Sequence, residues 1–274
     1  MRGRVLIVAG SDSGGGAGIQ ADIKTVTALN GYAMTAITAL TAQNTQGVFG
    51  IHEVPVDFVR QQMALVLQDI GADCVKTGML HRPAVIEAVC AELDAHAKDV
   101  PLVVDPVMVS QSGHRLLDTS AMDVLKRDLI LRATVLTPNV PEAELLTGMT
   151  IRDTDDMHHA GQMLLTLGPQ AVLMKGGHIQ GETVTDLLVM QNGTHVLTGS
   201  RIDTNSNHGT GCTLASALAC GLAQGLDLQH AVERARAYLR EALRTAPGFG
   251  KGSGPLNHAH PFAGSGQDFT EIPN

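Results

Sequence analysis

The chain has no tryptophan, and only two tyrosines and five phenylalanines among its 274 residues. Its core must therefore be built from aliphatic side chains and its 11 methionines, and the aromatic platforms on which single-stranded nucleic acid stacks are missing. Positive charge is also short: 19 Lys and Arg stand against 27 Asp and Glu, a net charge of −8, and no basic run occurs. A phosphate backbone finds no clustered charge here, so the acidity reads as a contribution to solubility. No apolar stretch reaches membrane-spanning length, and the apolar residues 5–9, ended by Gly10, are too short for a signal peptide. The cysteines, Cys74, Cys90, Cys212 and Cys220, form no C-x-x-C pair. That excludes the usual zinc and redox motifs and suits free thiols in a reducing cytoplasm. His158-His159 and His258-Ala259-His260 lack further ligands at zinc spacing.

What is present is an alternation of short apolar runs and amphipathic segments. Strands are predicted at 5–9, 33–40, 74–77, 102–105, 134–136 and 171–175. Helices are predicted at 17–30, 56–70, 83–97, 119–131, 141–146, 154–167, 211–224 and 228–243. In the second of these, Val56, Val59, Met63, Val66, Leu67 and Ile70 share one face. Segments 184–190 and 194–198 flank Gln191-Asn192-Gly193, an Asn-Gly hairpin signal. The pattern predicts a parallel sheet covered on both faces and mixed at the one edge that carries the hairpin. No repeat or linker divides it, so residues 1–246 read as one domain and the Gly-, Pro- and His-rich residues 247–274 as a loose tail. In such sheets ligands bind outside the carboxyl ends of the strands.

Several motifs lie there. Gly10-Ser11-Asp12-Ser13-Gly14-Gly15-Gly16-Ala17-Gly18 joins a strand to a helix. Gly16, Gly18 and Ala21 match dinucleotide-fingerprint spacing, but the second strand runs into Thr41-Ala42-Gln43-Asn44 without the acid that would hold a ribose. Asn207-His208-Gly209-Thr210-Gly211-Cys212-Thr213 opens an apolar helix. Its glycines let backbone N–H groups converge at the positive end of the helix dipole, an anion cradle without a lysine. Asp105 ends a buried strand, and Glu142 falls in the first turn of a helix after Thr137-Pro138-Asn139. Alone, Glu142 would be a helix cap. At strand ends on one edge of the sheet, the two carboxylates can hold a water-coordinated Mg2+. Lys175-Gly176-Gly177-His178 supplies a point charge suited to phosphate. Taken singly, each motif has a plain structural explanation; their joint order does not.

The segments GSDSGGGAGIQADIKT (10–25), TALTAQNT (38–45), VKTGML (75–80), VVDPVM (103–108), TPNVPEAELL (137–146), MKGGH (174–178) and NHGTGCTLASALA (207–219) together resemble the hydroxymethylpyrimidine/phosphomethylpyrimidine kinases of thiamine biosynthesis. The resemblance runs from about residue 4 to 245. It implies a ribokinase-like three-layer α/β/α sandwich with a mostly parallel central sheet, ATP as donor, Mg2+, a homodimer, and phosphorylation first of an alcohol and then of the resulting monophosphate. Carried over by position, it implies that Gln43 reads the aminopyrimidine and that Ala17, Met79 and Val107 line its pocket. Asp105 and Glu142 would serve the metal, Lys175, Asn139 and Gly177 the ATP, and Gly209, Thr210, Gly211 and Cys212 the anion hole. A side-chain amide presents a donor and an acceptor in one plane, as an amino group beside a ring nitrogen requires.

Two positions depart from the wider pattern. Sugar kinases of the superfamily carry Asp where this chain has Cys212, a residue typical of the pyrimidine kinases. A thiol at a helix N-terminus is expected to ionise readily, so Cys212 is expected to act as base toward the alcohol only. A lysine expected in a late helix near the substrate phosphate is replaced by Arg236, which is expected to bind the monophosphate. The rival readings are a pyridoxal kinase, a catalytically silent pyrimidine-binding regulator, and a dinucleotide-dependent oxidoreductase. Gln43 argues against the first, the intact motifs against the second and the missing ribose acid against the third.

Overall fold

The computed structural model describes residues 2–109, 113 and 116–263. Strand β1 (Arg4–Asp12) shows why the apolar runs become central strands. Successive side chains point to opposite faces, and here both faces are dry. Val5, Ile7 and Ala9 enter one apolar core, while Leu6 and Val8 enter the other. The same two-sided burial holds for β4 (Cys74–Thr77), β5 (Leu102–Val104), β6 (Val135–Leu136) and β7 (Ala171–Met174). A strand buried on both faces reads as a continuous apolar run.

With β2 (Tyr32–Asn44), β3 (Gly47–Glu53), β8 (Thr183–Met190) and β9 (Gly193–Ser200), the described residues form a nine-stranded sheet in the order β3-β2-β1-β4-β5-β6-β7-β8-β9. Helices α2 (Val56–Asp69), α3 (Pro83–His96), α5 (Val140–Thr147) and α6 (Thr154–Leu165) cover one face. They are joined there by α4 (Ala121–Val124), which continues through a wide turn at Leu125–Leu129 into Ile130–Arg132. Helices α1 (Gly18–Ala28), α7 (Thr210–Ala223) and α8 (Leu228–Arg244) cover the other face. Of the face predicted for α2, Val59, Met63 and Leu67 are buried, whereas Ile70 is exposed. Among the described residues no helix is long and apolar enough to cross a membrane.

Two expectations need correction. The sheet is antiparallel at both edges, not one. The predicted hairpin forms as β8 (Thr183–Met190) and β9 (Gly193–Ser200), and a second antiparallel strand, β3 (Gly47–Glu53), borders β2 (Tyr32–Asn44) at the far edge. Strand β3 is half-exposed and contains two glycines, so it carries no apolar run to reveal it. The segment after Pro247 is also not loose as far as Ala263. Leu256 and His258 are buried, Gly254 N–H donates to the Asn205 carbonyl at 3.0 Å, and Asn257 N–H donates to the Ala242 carbonyl at 3.0 Å. One buried leucine and a set of paired backbone groups hold a stretch whose composition reads as tail. The remainder, residues 264–274, lies outside the described residues.

Candidate active site

Strand β1 lies between β2 and β4, so the chain leaves it to one side and resumes on the other. The crevice outside such a switch point is where open α/β sheets bind ligands. A cavity of about 510 Å³ opens there, and Gln43, Asp105, Lys175, His208, Gly211 and Cys212 are among its lining residues.

The first glycine loop has its own anion. The Asp12 carboxylate, 2 % exposed, accepts from the N–H groups of Gly14 (2.8 Å), Gly16 (3.0 Å) and Ala17 (2.8 Å), and lies 2.8 Å from His208 Nε2. Burial alone would raise its pKa, but the His208 and backbone hydrogen bonds hold it below the usual carboxylate range. The backbone groups that could cradle a phosphate are thus already used. The loop packs closely on the second glycine loop: a Cβ on Gly209, at φ +82°, would run into the Gly16 carbonyl, and a Cβ on Gly16 into the His208 ring.

The second loop keeps its donors free. Gly209 caps α7 without a side-chain bond, and the first helical bond runs from Thr213 N–H to the Gly209 carbonyl at 2.9 Å. The N–H groups of Gly211 and Cys212 precede it and have no intrahelical acceptor. A Cβ on Gly211 would stand 3.3 Å from Lys175 Nζ and 3.5 Å from Asp105 Oδ2, so these N–H groups open beside an ammonium and a carboxylate.

Lys175 Nζ lies 3.2 Å from Asp105 Oδ1 and 3.8 Å from Glu142 Oε2. Burial draws the lysine pKa down, yet the two carboxylates hold it above its ordinary value. Glu142 is pushed up to about 7, first by burial and then by Asp105, with Lys175 opposing. Two buried carboxylates therefore share one ammonium and are short of positive charge. Asn139 caps α5: its side chain accepts from Glu142 N–H at 2.9 Å while Glu142 accepts from Asn139 N–H at 2.8 Å. Glu142 is thus both a cap and a member of the charged cluster. Among the described residues no group of three or more His, Cys, Asp and Glu side chains could hold a metal ion. Gly177 lines the same cavity, and a Cβ there would meet nothing within 4 Å.

Gln43 lies within β2 rather than on a loop. Its Oε1 is 3.0 Å from Thr41 Oγ1, and its Nε2 is 3.4 Å from His208 Nε2. Met79 and Val107 pack in a small apolar cluster with Ala39 and Leu116, and both line the cavity together with Ala17, the N-cap of α1.

The surroundings of Cys212 and Arg236 weigh against the roles expected of them. Cys212, half-buried on the cavity wall, lacks the surroundings of a low-pKa thiol. Burial pushes it up to about 12, and Lys76 and the Gly18 N–H offset only part of that. Its helix-end position is outweighed because burial penalises the thiolate more than the dipole favours it. Arg236 lines the cavity but is engaged by protein partners. It donates through Nε to Asp186 at 2.8 Å and through its other nitrogens to the carbonyls of Thr198 (2.8 Å) and Val184 (3.1 Å). Its charge ties α8 to the β8–β9 hairpin.

Sequence reasoning missed Asp12, His208 and the fully buried Lys76–Asp22 pair, although all four lie inside quoted motifs. The signal for Asp12 was a lone carboxylate among glycines at a strand end. Only the fold brings His208 to it.

The sequence profile of phosphomethylpyrimidine kinases matches residues 12–257. The chain is 50% identical over 257 residues to a bifunctional thiamine biosynthesis protein of Geobacter sulfurreducens; the match covers 94% of this chain and 52% of that relative, so the chain spans about half of it. It is 49% identical over 254 residues to a hydroxymethylpyrimidine/phosphomethylpyrimidine kinase of Streptomyces coelicolor, covering 93% of each. The ADP complex of Bacillus subtilis pyridoxal kinase superposes with a TM-score of 0.87 at 33% identity, covering 94% of this chain and 98% of that one. A profile matched along nearly the whole chain, on a fold whose successive motifs converge on one crevice, leaves a single assignment: the chain belongs to the phosphomethylpyrimidine kinase family.

Proposed function

We propose that the protein uses ATP to phosphorylate 4-amino-5-hydroxymethyl-2-methylpyrimidine and then its monophosphate. The observation that carries this reading is the pairing, across one cavity, of an amide at Gln43 with an open N–H cradle at Gly211 and Cys212. The amide suits an aminopyrimidine edge. The cradle suits a γ-phosphate and the charge that spreads over it in a loose transition state, where positioning and electrostatics do most of the catalysis. Lys175 adds a fixed positive charge beside that cradle. Gly209, Thr210 and Gly211 set the backbone, Cys212 shapes it, and Ala17, Met79 and Val107 form the wall against the ring. Asn139 and Gly177 border the nucleotide side.

Asp105 and Glu142 fit a Mg2+ ion carried with ATP, because they are a buried carboxylate pair short of positive charge. When bound, the ion would neutralise charge on the phosphate oxygens. The homodimer and a cytoplasmic location belong to the same reading. Phe49, 72 % exposed on the edge strand β3, and the exposed Leu40 on the neighbouring β2 offer apolar surface for a second copy.

A pyridoxal kinase is the second reading, supported by the likeness to the Bacillus subtilis enzyme. A coupled assay of ADP release with the pyrimidine alcohol, its monophosphate and pyridoxal decides between them. Higher kcat/KM for both pyrimidines is expected; preference for pyridoxal would reject the assignment.

A further inference from the structure

A glutamine cannot by itself tell an amino group from an oxo group. A half turn of its terminal torsion exchanges donor and acceptor, and that torsion is roughly two-fold. Something else must fix which end faces which part of the ligand, and the two neighbours of Gln43 do so.

Asp12 is ionised and already accepts three backbone N–H bonds. His208 Nε2, 2.8 Å from its Oδ2, must therefore carry a proton and point it at the carboxylate. The same Nε2 lies 3.4 Å from the Gln43 amide. That one proton goes to Asp12, so an amide NH2 facing Nε2 finds no lone pair there, whereas an amide oxygen meets the positive N–H edge and can share its proton. At the other end, Thr41 Oγ1 lies 2.9 Å from the Ser11 carbonyl and 3.0 Å from the Gln43 amide. The hydroxyl has one hydrogen. Once that goes to Ser11, Thr41 offers Gln43 only a lone pair, which wants the NH2. Both neighbours favour the same half turn, which exchanges the amide oxygen and nitrogen as placed above and sets oxygen toward His208 and NH2 toward Thr41.

We infer that His208, held by Asp12, is the positioning residue that sets the polarity of Gln43 and so restricts the pocket to ligands presenting a donor on the His208 side and an acceptor on the Thr41 side. An aminopyrimidine edge, amino group beside ring nitrogen, has that order. A 4-oxo pyrimidine, with its carbonyl beside a ring N–H, has the reverse, and would force the amide round to oppose both neighbours. His208 is 7 % exposed and Asp12 2 %, so water cannot easily repair such a mismatch. This inference rests on the pyrimidine reading above and adds that selectivity resides in the dyad, not in Gln43.

The test measures kcat and KM for the 4-amino alcohol and its 4-oxo counterpart in wild type and three variants. His208→Phe keeps a ring over Gly16 but cannot donate. His208→Gln keeps a donor near the Nε2 position. Thr41→Val is isosteric and removes the acceptor at the other end. The expected result is a fall of about tenfold or more in the amino-to-oxo ratio of kcat/KM in His208→Phe and Thr41→Val. The change should lie in KM, with kcat for the amino alcohol held within about threefold, and His208→Gln should retain the wild-type ratio. If His208→Phe fails to fold, Thr41→Val carries the measurement. An unchanged ratio in the folded variants, or equal loss of kcat on both ligands, overturns the inference and leaves the pyrimidine reading standing. A wild type that does not turn over the amino alcohol overturns both.

Discussion

Lys76 Nζ sits 2.9 Å from each carboxylate oxygen of Asp22, and neither side chain has exposed surface. Burial draws the lysine pKa down, but Asp22 more than restores it. Burial pushes the Asp22 carboxyl up in turn, yet the symmetric approach of the ammonium and a Ser216 hydroxyl donating at 2.6 Å are the surroundings of a carboxylate. Lys76→Met strands that charge, and a loss of roughly 3–5 kcal/mol is expected in urea unfolding. Adding Asp22→Leu should recover most of it. A single variant as stable as wild type would show that the pair is not ionised.

Cys212→Ala is expected to cost less than about tenfold in kcat/KM, equally for the alcohol and the monophosphate. With the thiol raised to about 12, rate–pH profiles of wild type and variant should be parallel from neutrality to pH 9. A loss of tenfold or more confined to the alcohol would return Cys212 to the role of base.

Arg236→Ala removes a mostly buried partner of Asp186, with side-chain exposures of 12% and 11%. A loss of about 3 kcal/mol in stability is expected, with both acceptors affected alike. Selective damage to monophosphate turnover would mean that the guanidinium leaves Asp186 to meet the substrate.

Glu142→Gln separates the two duties of that side chain. Glutamine can still complete a capping box, so the melting temperature should hold within a few degrees. Activity at limiting Mg2+ should fall about tenfold or more and recover in part at high Mg2+. Unaltered Mg2+ dependence would reduce Glu142 to a cap.

His258 predicts an acid limit to stability. Burial, helped by Lys24 and His260, lowers its pKa from 6.5 to about 4, and its Nε2 lies 3.0 Å from the Thr213 hydroxyl. The unfolded chain therefore binds the proton more readily. The contribution is complete above pH 6.5 and is lost as pH falls from 6.5 through 4. Urea midpoints should drop across that window, and His258→Gln, which does not titrate, should flatten the drop. An equal pH slope in both proteins would rule His258 out as the cause.

The central strands and most helices were legible because two-sided burial and helical periodicity leave direct marks, as in 5–9 and 56–70. Strand β3 left none, being a half-exposed edge. The charged cluster was legible in part: Asp105, Glu142 and Lys175 follow successive strands, and the sheet brings them together. The fates of Cys212 and Arg236 were not legible. One depends on how deeply a thiol is buried, the other on a hairpin carboxylate, Asp186, fifty positions away in the chain. His208 and Asp12, 196 positions apart, meet only because two glycine loops pack closely on each other.

The Asp12 carboxylate seated in the first glycine loop gives the pocket a direction. Two glycine-rich turns at one crevice could otherwise compete for the same triphosphate, and a nucleotide could dock in reverse. With the N–H groups of one turn taken by a tethered carboxylate, the turn at Gly211 is the one of the two whose N–H groups stay open. The two turns are thus made unequal by the chain itself, which occupies one of its own two seats.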